Sequence, residues 1–464
     1  MGAVGRFGQR AWSDLGGDPE LLERVQPLPR PVPLASSLAV GELAADSVAV
    51  ASLAAGLVGE VRRGRHHEQV GPVTVAPERV AASYRSERMF RRDGEPVDAW
   101  APLSGFWPAA DGWVRSHANY PHHAERLRAL LGLSEEAGPD EMRAAVAARD
   151  AGALEDDAAE AGAIVFRVRD AATWAAHPQA AAIDRRPLLD HGLLGDAEAR
   201  PWPEAGPLPL SGVRVLDLTR VIAGPVATRD LALAGADVLR IDSPRTPEIE
   251  MQHLDTGQGK RSALLDLGSR DGRATLEELL ERADVVVSGY RPGSLARFGL
   301  DDEDLAERHP GLVVARVSTW DSGGPWSARR GFDSIVQATI GIALAESPDG
   351  GETPGALPAQ ALDHSAGHLL AAGVLTALAR QRSEGGSHRV SVALARVGHE
   401  LLAQPPLPGA PAPLAVDDAE LPVVTGTGSA GTVTCAPPVL GFHGAPTAYR
   451  WIGRSWGADE PRWA

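Results

Sequence analysis

Cysteine and lysine are almost missing from this sequence. A single cysteine, Cys435, in 464 residues excludes an internal disulfide and any multi-cysteine metal site, and suits a reducing cytoplasm. A single lysine, Lys260, stands among 45 basic residues, which face 61 acidic ones. The arginine-for-lysine skew matches GC-rich codon usage and carries no function by itself. A formal charge of −16 without a run of arginine disfavours nucleic-acid binding. The first twenty residues lack the apolar core of a signal peptide and any lipidation pattern. The most apolar early stretch, residues 34–61, contains Glu42, Asp46 and Glu60. A membrane span would find these costly, so the stretch reads as a helix of a soluble, cytoplasmic protein. What remains is 44% hydrophobic, enough for a large core in two or three domains.

Three zones differ in texture. Residues 1–205 are rich in alanine and arginine and read mostly as helix, for example 124–131 and 140–149. A stretch with four prolines, RPWPEAGPLPLSG, marks the boundary. Residues 206–405 alternate short β-branched runs (213–217, 237–241, 284–287, 312–317) with helical segments (225–233, 272–282). That alternation predicts a doubly wound α/β domain with a parallel sheet, whose ligands sit beyond the carboxyl ends of the strands. Residues 406–464 are rich in proline and glycine and read as a tail laid over the surface.

Several clusters follow these strands. Thr219–Pro225 opens a helix with a Gly-Pro pair, but the spacing is not the dinucleotide fingerprint, which sets a dehydrogenase aside despite Asp242. Gln258–Ser262 joins Gly259, Lys260 and Arg261, a point charge beside a planar fork, a pairing suited to phosphate. Because every other basic residue is arginine, a lysine kept here points to a place that arginine does not serve. Ser288–Gly293, followed by Leu295–Gly299, offers Tyr290, Arg291 and Arg297 at a strand's carboxyl end. Asp363 stands before an apolar helix, where it fits an ordinary cap as well as a reactive carboxylate. His364 and His368, spaced i, i+4, lack the glutamate of a zinc helix and read as packing. His66-His67 and His122-His123 read as surface residues.

The blocks VRVLDLTRVIAGPVATRDLALAGADVLRID, GKRSALLDL, ADVVVSGYRPGSLARFGL and LPAQALDHSAGHLLAAGVLTALARQRSEGG together resemble the class III CoA-transferase (CaiB/BaiF) family. The resemblance implies a Rossmann-like large domain with a smaller α+β domain, and coenzyme A or acyl-CoA as substrate with no permanently bound cofactor or metal. It places Ile222 and Ala223 near the pantetheine end, Gly259, Lys260 and Arg261 on the nucleotide phosphates, Tyr290, Arg291 and Arg297 on the adenosine side, and Arg330 in the same channel. Asp363 matches the family nucleophile, which attacks the thioester to give a mixed anhydride and then an aspartyl-CoA thioester that a carboxylic acid acceptor collects. Racemases of the family use the same aspartate with a histidine. That histidine's position is Phe332 here, and a phenyl ring carries no proton.

The order of parts departs from the family. A segment resembling the small domain, within 105–190, precedes the Rossmann part, and a helical unit at 33–90 precedes that. Offset by 317 residues, Asp46–Gly56 overlies Asp363–Gly373 with six identities in eleven, and both stretches lead through an arginine-rich turn into a valine-containing segment. This reads as a partial duplication, with Asp46 a relic that has Val50 where the other copy has Gly367. The expectation is an acyl-CoA:carboxylate CoA-transferase, acting as a homodimer. A 2-methylacyl-CoA racemase and an inactive CoA-binding homologue, whose only candidate glycine-rich lid is GTGSAG at 426–431, are the alternatives.

Overall fold

The computed structural model describes residues 4–65, 69–204, 206–404 and 415–464. Six strands form a parallel array: β1 (Arg214–Leu218), β2 (Asp237–Asp242), β3 (Arg261–Leu264), β4 (Val285–Ser288), β5 (Val313–Ser318) and β6 (Ser387–Ala393). Their order is β3-β2-β1-β4-β5-β6, and each neighbouring pair is parallel. This is the Rossmann-like sheet expected from the alternation of apolar runs and helices. Chain order reverses between β1 and β4, which opens a crevice at their carboxyl ends. A further strand, Asp190–Gly195, lies antiparallel on the β6 edge. Its sequence, DHGLLG, has no β-branched residue to announce it.

Three helices build the wall behind the crevice: α1 (Val40–Arg62), α2 (Ala223–Leu233) and α4 (Ala361–Glu384). A short α3 (Asp333–Ile340) lies near the start of α4. Helix α4 packs along both α1 and α2 and is apolar on nearly every face, as a helix with neighbours all round must be. Helix α1 is long and apolar enough to cross a membrane, yet it lies inside the protein with Asp46 and Glu60 buried. The α2–α4 crossing is close at Gly367, where a Cβ would stand 2.6 Å from the Ala223 carbonyl oxygen. Any larger residue would push α4 off α2.

A smaller α+β unit holds the antiparallel strands Gly105–Ala109, Gly112–Ser116 and Val165–Arg167. Helices Pro121–Leu131, Pro139–Ala147 and Ala151–Ala161 cover them around a separate core that includes Leu127, Met142 and Leu154. The two valine-containing segments of the internal similarity behave differently. The second becomes β6, whereas the first makes only an isolated bridge between Val73 and Val25.

The C-terminal segment is more than a surface tail. Val424–Gly428 and Gly431–Cys435 form a hairpin that joins Arg91–Arg92 and Glu95–Pro96 in a four-stranded sheet. The GTGSAG glycines therefore form no lid: Gly428 lies in a strand, and a Cβ there would stand 2.3 Å from the Gly453 carbonyl oxygen. Further on, the Asp459 carboxylate accepts from Ser262 N at 2.9 Å and Asp459 N donates to Ser262 O, which covers the exposed edge of β3. Trp463 then packs into the core beside Leu276 and Leu280 and donates to the Leu279 carbonyl at 3.0 Å. The proline-rich start of the third zone, 405–414, together with His66, His67 and Ala205, lies outside the described residues.

Candidate active site

The segments that leave β1 to β5 border a row of three adjoining cavities that share lining residues. Its outer part lies beyond β1, β2 and β3 and is lined by Arg245, Arg273, Arg291 and Arg297 with Tyr290. Tyr290, Arg291 and Ser294 are shared with a middle part, where Arg220, Arg330, Tyr120, His122 and His123 stand. Val221 and Phe332 are shared in turn with an inner cavity that ends on Asp363. Arginines thus crowd the mouth, and a carboxyl group closes the far end. The separation suits a ligand with phosphates at one end and an electrophile at the other.

At the turn between β1 and α2 the chain is strained. Val221 has φ +70°, which costs a β-branched residue of order 1–3 kcal/mol and persists only where the surroundings impose it. Glu248 supplies that constraint. Its carboxylate accepts from Arg220, from Val221 N at 3.3 Å, from the buried Arg240 at 2.6 Å and from the Tyr120 hydroxyl at 2.5 Å. Tyr120 belongs to the smaller unit, so this network ties that unit to the crevice.

Asp363 is the third residue of α4, not its cap; Gln360 holds the cap position without a side-chain bond. The free N–H groups of the helix start are met by another carboxylate. Asp333, the first residue of α3, accepts from Leu362 N at 2.8 Å and Asp363 N at 2.9 Å, and Gln337 donates to its other oxygen. Asp363 is thereby left without a hydrogen-bond donor among the described residues, 6% exposed and facing the cavity. Burial first, then the Asp333 carboxylate and Glu87, push its pKa well above the usual carboxylate range. Burial also raises Asp333, to about 7, against the three donors that favour its charge. Of the two, Asp333 keeps the charge more readily because it has the donors, and Asp363 holds a proton until the pH is higher.

Of the sequence-predicted residues, Ile222, Tyr290, Arg291, Arg297, Arg330 and Asp363 line this cleft. Ala223 is buried at the first turn of α2, beside the cavity but not on it. The Gly259-Lys260-Arg261 group is elsewhere, and its assignment to phosphate is corrected. It enters β3 at the amino end of the strand, the end opposite the crevice in a parallel sheet. Lys260 is 2% exposed, and its ammonium donates to Asp217 at 3.2 Å, to the Pro225 carbonyl at 2.9 Å and to Thr228 Oγ1 at 2.8 Å. Arg261 makes a forked pair with Asp237, and Gly259 N donates to Trp451 O under the C-terminal segment. Arginine's fork does not fit the small buried space that the lysine fills, which accounts for the lone lysine without a ligand.

Sequence reasoning missed the contribution of the first zone. Glu87, Trp100, His117 and Asn119 line the inner cavity with Asp363, and His122 and His123 line the middle of the cleft instead of the open surface. His117 stacks face to face on Phe332, with ring centroids 3.6 Å apart and planes at 9°. The position that lacks a histidine in the α3 motif is therefore met by a histidine from the smaller unit. Burial lowers the His117 pKa well below its ordinary value, so the ring is neutral, and its Nδ1 has no hydrogen-bond partner among the described residues. No linear spacing links residue 117 to residue 363, so no local motif signalled it. His364 and His368 pack as expected, stacked on Tyr84, with His368 Nδ1 2.6 Å from Asp230.

Comparison with known proteins bears on the Rossmann part. Residues 210–412 match the family model described as CoA-transferase family III. The probable fatty acyl-CoA transferase Rv3272 of Mycobacterium tuberculosis is 34% identical over 200 residues, 40% of this chain and 50% of that protein. The succinyl-CoA–L-malate CoA-transferase alpha subunit of Chloroflexus aurantiacus is 33% identical over 226 residues, 43% of this chain and 52% of that protein. A crystal structure of Rv3272 from M. tuberculosis shares 35% identity over 42% of this chain and 58% of that chain, with a TM-score of 0.40. The chain spans about half the length of these curated relatives.

Proposed function

Residues 210–412 match the model of CoA-transferase family III, and on that premise we propose that the chain moves coenzyme A from an acyl-CoA thioester to a carboxylic acid, with Asp363 as nucleophile. The observation that carries this reading is the row of adjoining cavities from the arginines of the outer one to the Asp363 carboxyl of the inner one. Arg297 and Arg291 would take the nucleotide end, Tyr290 and Arg330 the middle, and Ile222 the pantetheine terminus.

Once ionised, an Asp363 oxygen attacks the thioester carbon, the C–S bond breaks, and CoA leaves as thiolate with a mixed anhydride behind it. The thiolate then attacks the aspartyl carbonyl, which frees the donor acid and leaves aspartyl-CoA. An acceptor carboxylate attacks that thioester, again releasing thiolate, and the thiolate collects the acceptor acyl group from the second anhydride to restore Asp363. CoA is a substrate throughout, and no resident cofactor enters. The reading includes a cytoplasmic homodimer; a lone, buried thiol at Cys435 suits the compartment.

The test is direct. Incubation with an acyl-CoA followed by hydroxylamine should give a hydroxamate on the Asp363 peptide by mass spectrometry, and Asp363→Asn should give none. Tight CoA binding with no adduct from any thioester would refute the transferase and favour the binding homologue.

One observation favours a second reading, proton exchange at the carbon α to the thioester. The neutral His117 ring faces the cavity that holds Asp363, and two such groups could remove and return a proton. Deuterium entering the α position without an adduct would select this reading.

A further inference from the structure

The inner cavity also bears on which acyl group it receives, an inference that rests on the transferase reading. No arginine or lysine is found among its described lining residues. Its one histidine, His117, is held neutral by burial. Behind the wall, the buried Arg229 donates to the Asp255 backbone carbonyl at 3.3 Å, and Arg115 lies over the Trp100 and Phe106 rings, 5.1 and 4.8 Å from their centroids. The acids, by contrast, gather: Glu87 and Asp255 line the cavity with Asp363, and burial pushes them up to about 7 and about 6. The remaining wall sets flat aromatic and apolar residues among the uncharged polar ones Asn119, Gln252, Thr256 and Gln360. Trp100 is 40% exposed despite its size, its ring meets His117 edge-on at 6.1 Å, and the His117–Phe332 stack continues the surface inward.

We propose that this cavity selects the uncharged, apolar acyl group of a monocarboxylic acid, short and branched or aromatic, and rejects acyl groups that carry a second carboxylate. The second carboxylate would enter a space whose described lining carries no arginine or lysine and already holds three carboxyl groups. One ionised neighbour at roughly 12 Å with an effective dielectric near 20 amounts to about a 10-fold loss of affinity by repulsion alone. An apolar acyl group meets the opposite conditions, since it covers an exposed tryptophan and lies on an aromatic wall.

Titration calorimetry at pH 8, where Glu87 is largely ionised, tests this on the full chain carrying Asp363→Asn, so that no thioester turns over. Isobutyryl-CoA and benzoyl-CoA should bind at least about 10-fold tighter than CoA, and succinyl-CoA no tighter than CoA. Succinyl-CoA binding as tightly as isobutyryl-CoA would overturn the proposal. In parallel, Glu87→Gln should narrow the preference for isobutyryl-CoA over succinyl-CoA by about 10-fold, and an unchanged ratio would overturn its electrostatic basis. Absence of any adduct on the wild-type chain, with the order of affinities intact, would refute the transferase reading alone.

Discussion

Replacing Lys260 by methionine separates a core ion pair from a ligand contact. The change keeps the stem and removes the ammonium, whose partners are Asp217, the Pro225 carbonyl and Thr228. Asp217 is fully buried and keeps its bonds from Thr219 N at 2.9 Å, Thr219 Oγ1 at 2.5 Å and Thr228 Oγ1 at 2.6 Å, but it loses the adjacent countercharge. Removing one partner of a buried pair costs about 3–5 kcal/mol, and the surviving donors set the expectation near the lower end, about 3 kcal/mol. The double variant Lys260→Met with Asp217→Asn should recover much of the loss, because no uncompensated charge remains. Urea unfolding followed by fluorescence, with CoA binding measured on the folded variant, reads both quantities. The pH dependence gives a second check. Burial lowers the Lys260 pKa from its ordinary 10.5 to about 8, so the unfolded chain binds more protons than the folded one between those values. Stability contributed by this group is therefore least below about pH 8 and grows as pH rises towards 10.5, and the wild type should gain on the variant across that window. Unchanged stability together with weakened CoA binding would refute the argument and return Lys260 to the phosphates.

Other perturbations act on the cleft. Asp333→Asn removes the like charge beside Asp363, so the acidic limb of the pH–rate profile should move down by about one to two units; a fixed limb would show that burial alone holds the Asp363 proton. Because Asp333 is raised to about 7, its buried charge lowers wild-type stability as pH climbs from about 4 through 7, and unfolding of the variant should be flatter over that range. Arg297→Ala should weaken CoA binding about 10-fold and lessen its salt dependence. Arg261→Ala, which breaks the forked pair with Asp237 at the far end of the sheet, should leave CoA binding unaltered and lower stability instead.

The alternation of valine-rich runs with helices was legible because strands buried on both faces are largely apolar: β4 reads VVVS, and β1, β2 and β5 keep apolar runs broken only by single charged residues such as Asp217, Arg240 and Arg316. β3 was hidden: it begins within the basic cluster at Arg261, and a charged start resembles a loop until its partners are known. The residues just after strands proved informative, since Tyr290, Arg291 and Arg297 line the cleft. Chemistry read from residue type alone misled at Gly259-Lys260-Arg261, because a lysine and an arginine side by side serve a phosphate or a buried carboxylate equally well. Only strand direction distinguishes the two. His117 and Glu87 were illegible for another reason. They reach the cavity from more than two hundred residues upstream of Asp363, His117 from the smaller unit and Glu87 from the short helix Ser86–Met89, and no periodicity records how either packs.

The two aspartates that the internal similarity aligns differ in what surrounds them, and only one faces the inner cavity. Asp46 and Asp363 both lie on long buried helices, α1 and α4, that pack against one another. Asp46 spends both carboxylate oxygens on backbone, accepting from Gly5 N at 2.8 Å and Gly8 N at 2.9 Å, so it fixes the first helix (Arg6–Asp14) in place. The carboxylate that caps a helix start at the other site is Asp333, which takes the Leu362 and Asp363 N–H groups of α4, and the Asp363 oxygens accept no hydrogen bond among the described residues. Position matters as much as bonding. Gly367 lets α4 approach α2 to a distance that a Cβ would forbid, which brings Asp363 beside Ile222 at the end of the crevice, and Val50 stands at the matching place in α1. A carboxyl group becomes available for chemistry here because a second carboxylate satisfies the helix and one glycine admits the neighbouring backbone. Neither condition is visible in the aspartate itself.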